Sequence, residues 1–191
     1  VLLNGIEPEK RVVSTRYGDV LPSSKGLAGA GVEMVGLEER EYLLRRALEK
    51  LAPSYDYIFV DCPPSLELLT LNGLCAANSA LVPVQSEYFA LEGLSDLMYT
   101  IRAVRRSLNP ELELEGVLMT MYDSRTNLAL QVAQEVKRFF PGKVYSTVIP
   151  RNVRLSEAPS HGKPICAYDR ASRGCEAYAA LAEEFLRKNK K

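Results

Sequence analysis

Residues 55–65, Tyr-Asp-Tyr-Ile-Phe-Val-Asp-Cys-Pro-Pro-Ser, constrain the fold more than any other stretch of this chain. The apolar run Tyr57–Val60 leads directly into the carboxylate of Asp61 and then into the stiff Pro63-Pro64 pair. A short, continuously apolar run fits a strand buried on both faces, the condition of a parallel sheet. Open α/β sheets bind ligands at the carboxyl ends of their strands. An acid placed there reads as a Walker B aspartate, which helps hold Mg²⁺ against a nucleotide. An aspartate before a turn also caps turns and helices, so the two readings stand side by side here.

The remaining pattern alternates. A weak apolar pair at Val12-Val13 and a strand end at Asp19–Pro22 precede a Gly-rich segment, Gly26–Gly31, and a short helix near Val32–Met34. Glu38–Leu51 predicts an amphipathic helix, with Tyr42, Leu43, Ala47, Leu48 and Leu51 on one face and Pro53 closing it. Beyond the strand at 56–61 come a helix at 66–77, a strand at 80–84 and a long helix at about 90–108. A strand at 116–121, a helix at 127–140 and a strand at 144–149 follow, then an aperiodic loop at 151–173 and a last helix at about 174–188. The long helix carries Leu91, Leu94, Leu97, Met98, Ile101, Val104 and Leu108 on one stripe. Such alternation predicts an α/β fold with a mostly parallel sheet flanked by helices on both faces.

The chain has 191 residues, enough for one domain with a substantial core. Twenty-four basic residues balance twenty-four acidic ones, so a nucleic acid or membrane partner must be met by a local patch. Cys62, Cys75, Cys166 and Cys175 show no C-x-x-C spacing, and the single histidine, His161, completes no zinc set. Reduced, buried thiols of a cytosolic protein are the expectation. No apolar run reaches the length of a membrane span. The chain opens on Val1 in mid-pattern, and is expected to continue a segment that lies upstream.

Several blocks resemble the ParA/Soj family of deviant-Walker partition ATPases. They are Asp56–Ser65, Glu87–Gly93, Gly116–Asn127 and the long run Val148–Pro164, Val-Ile-Pro-Arg-Asn-Val-Arg-Leu-Ser-Glu-Ala-Pro-Ser-His-Gly-Lys-Pro. Their order and spacing match the family from about residue 17 onward. The resemblance implies a P-loop NTPase of deviant-Walker type, with residues 1–191 the carboxyl-terminal part of a single ATPase domain. It implies ATP and Mg²⁺ as cofactors and an ATP-bound homodimer that binds DNA without sequence preference. A ParB/Spo0J-type partner would stimulate hydrolysis during plasmid or chromosome partition, and the protein would be cytoplasmic and nucleoid-associated, with no membrane anchor. A related positioning ATPase of the MinD/ParA superfamily, or a non-hydrolysing binding module, is the alternative. The G-x-x-x-x-G-K-[S/T] phosphate loop does not occur: Gly142-Lys143 and Gly162-Lys163 are followed by Val and Pro. The resemblance places that loop upstream of residue 1. The chain alone is then expected to be a poor ATPase and, lacking a central strand, prone to unfold or aggregate.

The resemblance assigns roles residue by residue. Asp61 becomes the Walker B acid, acting on Mg²⁺ through water. Pro150 and Asn152, after a strand's carboxyl end, stand where a loop reaches an adenine, and Met121 packs nearby or lies in the core. Pro and Asn also favour plain tight turns. Arg125 and Arg154 match DNA-contacting arginines, with Arg151, Lys163, Arg170 and Arg173 able to widen the patch; solvated loop arginines are the plain reading. Gln85 and Glu87 approach the nucleotide's surroundings or the second subunit, or cap the next helix. His161 reads as structural or solvated. The last helix carries Tyr178, Leu181, Ala182, Phe185 and Leu186 on one side, but Glu176, Glu183 and Glu184 dilute its basic face, so it reads as core packing rather than a membrane anchor.

Overall fold

Two short extended runs on either side of Gly18 form the first hairpin. Strands β1 (Val13–Thr15) and β2 (Gly18–Val20) pair antiparallel, Val13 opposite Val20. The chain then runs through helices α1 (Leu27–Glu33), α2 (Leu43–Leu51) and α3 (Leu68–Ala76) to strand β3 (Ser79–Gln85). Helix α4 (Ala90–Ser107), strand β4 (Glu113–Thr120) and helix α5 (Asn127–Phe139) follow. Short helices α6 (Val153–Glu157) and α7 (Ile165–Tyr168) lead to the last helix, α8 (Arg173–Lys188). This computed structural model describes residues 1–63, 65, 67–87 and 90–190. Pro64 of the Pro-Pro turn, Leu66 at the expected helix start, and Tyr88 and Phe89 of the second resemblance block lie outside the described residues.

The sheet is built around β4. Gly116, Val117, Leu118 and Met119 are buried in succession, the mark of a strand covered on both faces. On one side lies β3: Glu113 N donates to Asn78 O at one end and Ser86 N to Thr120 O at the other, so the two run parallel. Ser86 N–H points at β4, and in a parallel strand alternate residues share that direction. Pro83, an odd number of positions away, faces the other side and its missing N–H costs no bond to β4. On β4's other side residues 143–151 run parallel: Tyr145 N donates to Val117 O and Ile149 N to Met119 O, both at 2.9 Å. Only isolated bridges, Val117 with Val144 and Tyr122 with Pro150, mark the expected strand at 144–149.

The chain forms two compact units, Val1–Ala80 with Leu97–Glu113, and Leu81–Asp96 with Leu114–Lys191. In the first, Met34, Leu51, Leu74, Cys75, Ile101, Val104 and Leu112 are buried. Two buried amides tie its loops: Asn72 Nδ2 donates to Arg40 O and Leu68 O while its Oδ1 accepts from Leu44 N, and Asn109 Nδ2 donates to Leu74 O and Ala77 O. In the second, Leu118, Tyr145 and Ile149 form a core against which Leu81, Leu155, Ala177, Leu181 and Phe185 pack.

Four expectations change. The run 56–61 takes no regular secondary structure and joins no ladder, and Tyr57, Ile58 and Phe59 are exposed. Its composition foretold burial, but a strand exists only through a hydrogen-bonded neighbour, and no described segment provides one. The Gly26–Gly31 loop is part of helix α1. The helix expected from Glu38 starts at Leu43, because Glu39 takes a left-handed φ of 51° that breaks the helical path. The loop at 151–173 contains α6, a 3₁₀ turn at Ala158–His161 and α7, each too short to show periodicity.

Candidate functional site

In the first unit, residues 57–61 take no regular secondary structure. Val60 and Cys62 turn toward α3: a Cβ placed on Gly73 would lie 2.6 Å from Cys62 Sγ and 3.6 Å from Val60 Cγ1. Glycine at 73 is therefore what lets this segment lie against the helix. Asp61, between the two, is exposed. Among the described residues its carboxylate has no side-chain partner. Helix α3 begins at Leu68 with Glu67 as its N-cap residue, so Asp61 does not cap that helix. Desolvation of the sulfur where it meets α3, and then the charge of Asp61, push the Cys62 thiol up, although the residue as a whole is exposed. A free carboxylate of this kind fits Mg²⁺, which takes one or two protein oxygens and keeps several waters.

In the second unit, β4 ends at Thr120 and the chain turns at Met121, which has a left-handed φ of 52°. That conformation is uncommon for a residue with a side chain and marks a position worth attention. Met121 is 38% exposed, so the structure takes it out of the core. The turn brings Tyr122 alongside Pro150: Tyr122 N donates to Ile149 O and Arg151 N to Tyr122 O, both at 3.1 Å. Met121, Pro150 and Asn152 thus gather where two parallel strands end, the carboxyl edge at which α/β sheets take ligands. Asn152 Oδ1 accepts from Arg154 N at 2.8 Å and caps α6, so its turn-forming role is real. That cap uses the oxygen and leaves the Nδ2 donor for another partner.

The three arginines near this edge, Arg125, Arg151 and Arg154, lie in this second unit and each pairs with a carboxylate. Arg125 Nε and Nη2 reach the two oxygens of Asp123 at 2.9 and 2.7 Å. The side-chain and backbone bonds from Arg125, against slight burial, hold the Asp123 carboxyl down to about 2. Asp123 and Thr126 form the turn that starts α5, Thr126 Oγ1 accepting from Ala129 N. Arg151 Nη2 lies 3.3 Å from Glu87 in an exposed pair. Arg154 reaches Glu157 at 2.8 Å and Asp169 at 3.3 Å, and Tyr168 Oη donates to Glu157 at 3.0 Å. His161 stacks on Tyr168 with ring centroids 4.8 Å apart, a structural role. Of the cysteines, Cys75 and Cys175 are buried as expected, but Cys62 and Cys166 are exposed.

Sequence reasoning missed Glu184. Counted among the acids diluting the face of the last helix, it is 5% exposed, and its two oxygens accept from Ser146 N and Thr147 N at 2.8 Å each. It anchors α8 to the segment that runs into Pro150. Nothing in the local sequence signals this, because its partners lie some forty residues earlier.

Parallel strands alternating with helices are the architecture of a P-loop NTPase. The family model described as an AAA domain matches residues 3–114. The chain is 60% identical over 166 residues to the sporulation initiation inhibitor protein Soj of Bacillus subtilis, covering 87% of this chain and 66% of that protein. It is 55% identical over 174 residues to the chromosome partitioning protein ParA of Myxococcus xanthus, covering 91% and 62%. It thus spans somewhat less than two thirds of the length of either relative. A crystal structure of cobyrinic acid a,c-diamide synthase from Mycobacterium smegmatis with bound ATP analog and magnesium is 38% identical with a TM-score of 0.87, covering 100% of this chain and 72% of that one. The chain belongs to the ParA/Soj family of ATPases. Among the described residues no helix is long and apolar enough to cross a membrane.

Proposed function

We propose that this chain forms part of a partition ATPase that couples ATP binding and hydrolysis to DNA binding during chromosome or plasmid segregation. The observation that carries the proposal is the convergence of Met121, Pro150 and Asn152 at the carboxyl edge of the sheet, in a chain so similar to Soj and ParA. Residues 1–191 are read as the carboxyl-terminal part of one ATPase domain.

In this proposal Met121 and Pro150 offer apolar surface to an adenine, and Asn152 offers its Nδ2 as a donor to a ring nitrogen. Asp61 holds Mg²⁺ through water. The metal, when bound, neutralises charge on the phosphates, as it does in phosphoryl transfer generally. Arg125 and Arg154 contact DNA phosphates, which gives affinity without reading sequence. Two protomers joined by ATP would double those contacts, and a ParB-type partner would time hydrolysis on the nucleoid. The ATP analog and magnesium in the mycobacterial structure support the cofactors, and the names of the Soj and ParA relatives support the process.

The test is a pair of variants of the full-length protein. Asp61→Ala is expected to lower ATP turnover by at least about a hundredfold, the scale of a lost electrostatic group in a catalytic site. Arg154→Glu is expected to remove DNA binding while nucleotide binding persists. Normal turnover in the first, or unchanged salt-sensitive DNA affinity in the second, refutes the corresponding assignment.

A further inference from the structure

Every arginine of the proposed DNA face that lies near the ends of β4 and residues 143–151 already holds a carboxylate. Arg125 is forked onto Asp123, Arg151 meets Glu87, and Arg154 is shared between Glu157 and Asp169. Among the described residues Lys163, Arg170 and Arg173, farther along, have no ion pair. A carboxylate against a guanidinium fork offers two acceptor oxygens in the geometry a phosphate would use. Each such acid is therefore a competitor for DNA.

Asp123 is the best placed of them. The Arg125 side chain is 87% exposed while that of Asp123 is 25% exposed, so the acid sits behind the guanidinium and the cation projects outward. Asp123 is also fixed independently of that fork: its Oδ1 accepts from the Arg125 backbone N at 3.1 Å, and its carbonyl accepts from Thr126 Oγ1 at 3.1 Å. If Arg125 swings to a phosphate, the negative charge stays where it was. The acid then both withholds the donors and opposes the incoming phosphate.

We propose that Asp123 is a built-in brake on DNA affinity, an internal stand-in for phosphate that keeps Arg125 partly neutralised. The inference rests on the DNA assignment above. It accounts for how a chain of zero formal net charge can bind DNA weakly per protomer and depend on two protomers acting together.

The experiment measures fluorescence anisotropy of a random-sequence DNA duplex with full-length protein, ATP and Mg²⁺ across a salt series. Asp123→Asn keeps the oxygen that accepts from the Arg125 backbone and removes the charge. It is expected to tighten binding by about fivefold at low salt, the size of a strong exposed ion pair, and to steepen the salt dependence. In an Arg125→Ala background the same change is expected to give under about a twofold gain, from relief of the direct repulsion alone. Glu176→Gln, at an exposed acid in the first turn of α8, controls for a change in net charge and is expected to shift affinity by under about twofold. Unchanged or weaker binding by Asp123→Asn, or a gain that survives undiminished in Arg125→Ala, overturns the brake. Arg125→Glu separates the two claims: if it weakens binding while Asp123→Asn does nothing, only the brake fails. If it too leaves binding unchanged, the DNA role of Arg125 fails with it.

Discussion

Removing the Glu184 carboxylate is expected to destabilise the second unit more than any other single change to an acid on α8. Both of its oxygens accept backbone N–H groups, from Ser146 and Thr147 at 2.8 Å, and Lys188 Nζ lies 3.7 Å away. A hydrogen bond to an ionised group contributes roughly 1.5–3 kcal/mol. Two such bonds do not simply add, because Ser146 is exposed and Thr147 half-exposed, so water can reclaim their donors. Glu184→Ala should therefore cost about 2–4 kcal/mol, or roughly 4–16 °C in Tm for a protein of this size. Glu184→Gln keeps one acceptor and turns an amide N–H toward a backbone N–H, so it should fall between parent and alanine. The pH dependence is a second readout. Burial alone would raise the Glu184 carboxyl, but the Ser146 and Thr147 bonds and the Lys188 charge outweigh it and set it below its ordinary 4.5. A depressed carboxyl contributes stability that is present above the unfolded value and is lost as pH falls through the folded one. The gap between parent and Glu184→Gln should be full at neutral pH and should narrow below about pH 4. Urea and thermal melts followed by circular dichroism give both quantities. A Glu184→Ala melt within about 1 °C of the parent, or a gap that ignores pH, would refute the reasoning.

Gly116→Ala should also destabilise the second unit, because the new Cβ would lie 2.7 Å from both Lys143 O and the Tyr145 ring. The carbonyl is held by the ladder and the ring is 1% exposed, so neither can yield, and overpacking of this kind costs about 1–3 kcal/mol in a urea titration. The Asp123 carboxyl should titrate near 2 by NMR and move back toward 3.8 in Arg125→Ala, since the Arg125 side-chain bonds are the main cause of its shift. The contribution of that pair to stability should be intact above 3.8 and fade as pH falls toward about 2.

The helices were legible wherever they were long enough to repeat their period. In α4 the stripe read from sequence matches the burial of Leu94, Ile101 and Val104, because one face of a long helix must meet a core whichever core it is. Strands were legible only in part. The buried run Gly116–Met119 is β4, yet the equally apolar Tyr57–Val60 joins no ladder. Composition states that a run prefers burial on two faces; it cannot state which segment supplies the hydrogen bonds. The short helices after residue 151 escaped for a different reason. Their formation depends on single caps, such as Asn152 Oδ1 on Arg154 N, rather than on any repeating pattern.

The site divides along the same line. Asp61 was legible because a charge ending an apolar run is locally anomalous, and it is exposed while Val60 and Cys62 on either side turn toward Gly73. Met121 was named only by resemblance, and its left-handed φ is invisible in a methionine codon's neighbours. The arginines show the deepest limit. Arg125 and Arg154 read as DNA-contacting or solvated cations, but Asp123 and Glu157 stand two and three residues from them, and Asp169 follows the end of α7. Local acids neutralise local bases, so the balanced charge of the whole chain is reproduced at the face proposed for DNA. A neutral sequence therefore need not hide a basic patch in order to bind a polyanion. It can hold its cations in pairs that phosphate must compete to open, and the strength of those pairs then becomes part of the affinity.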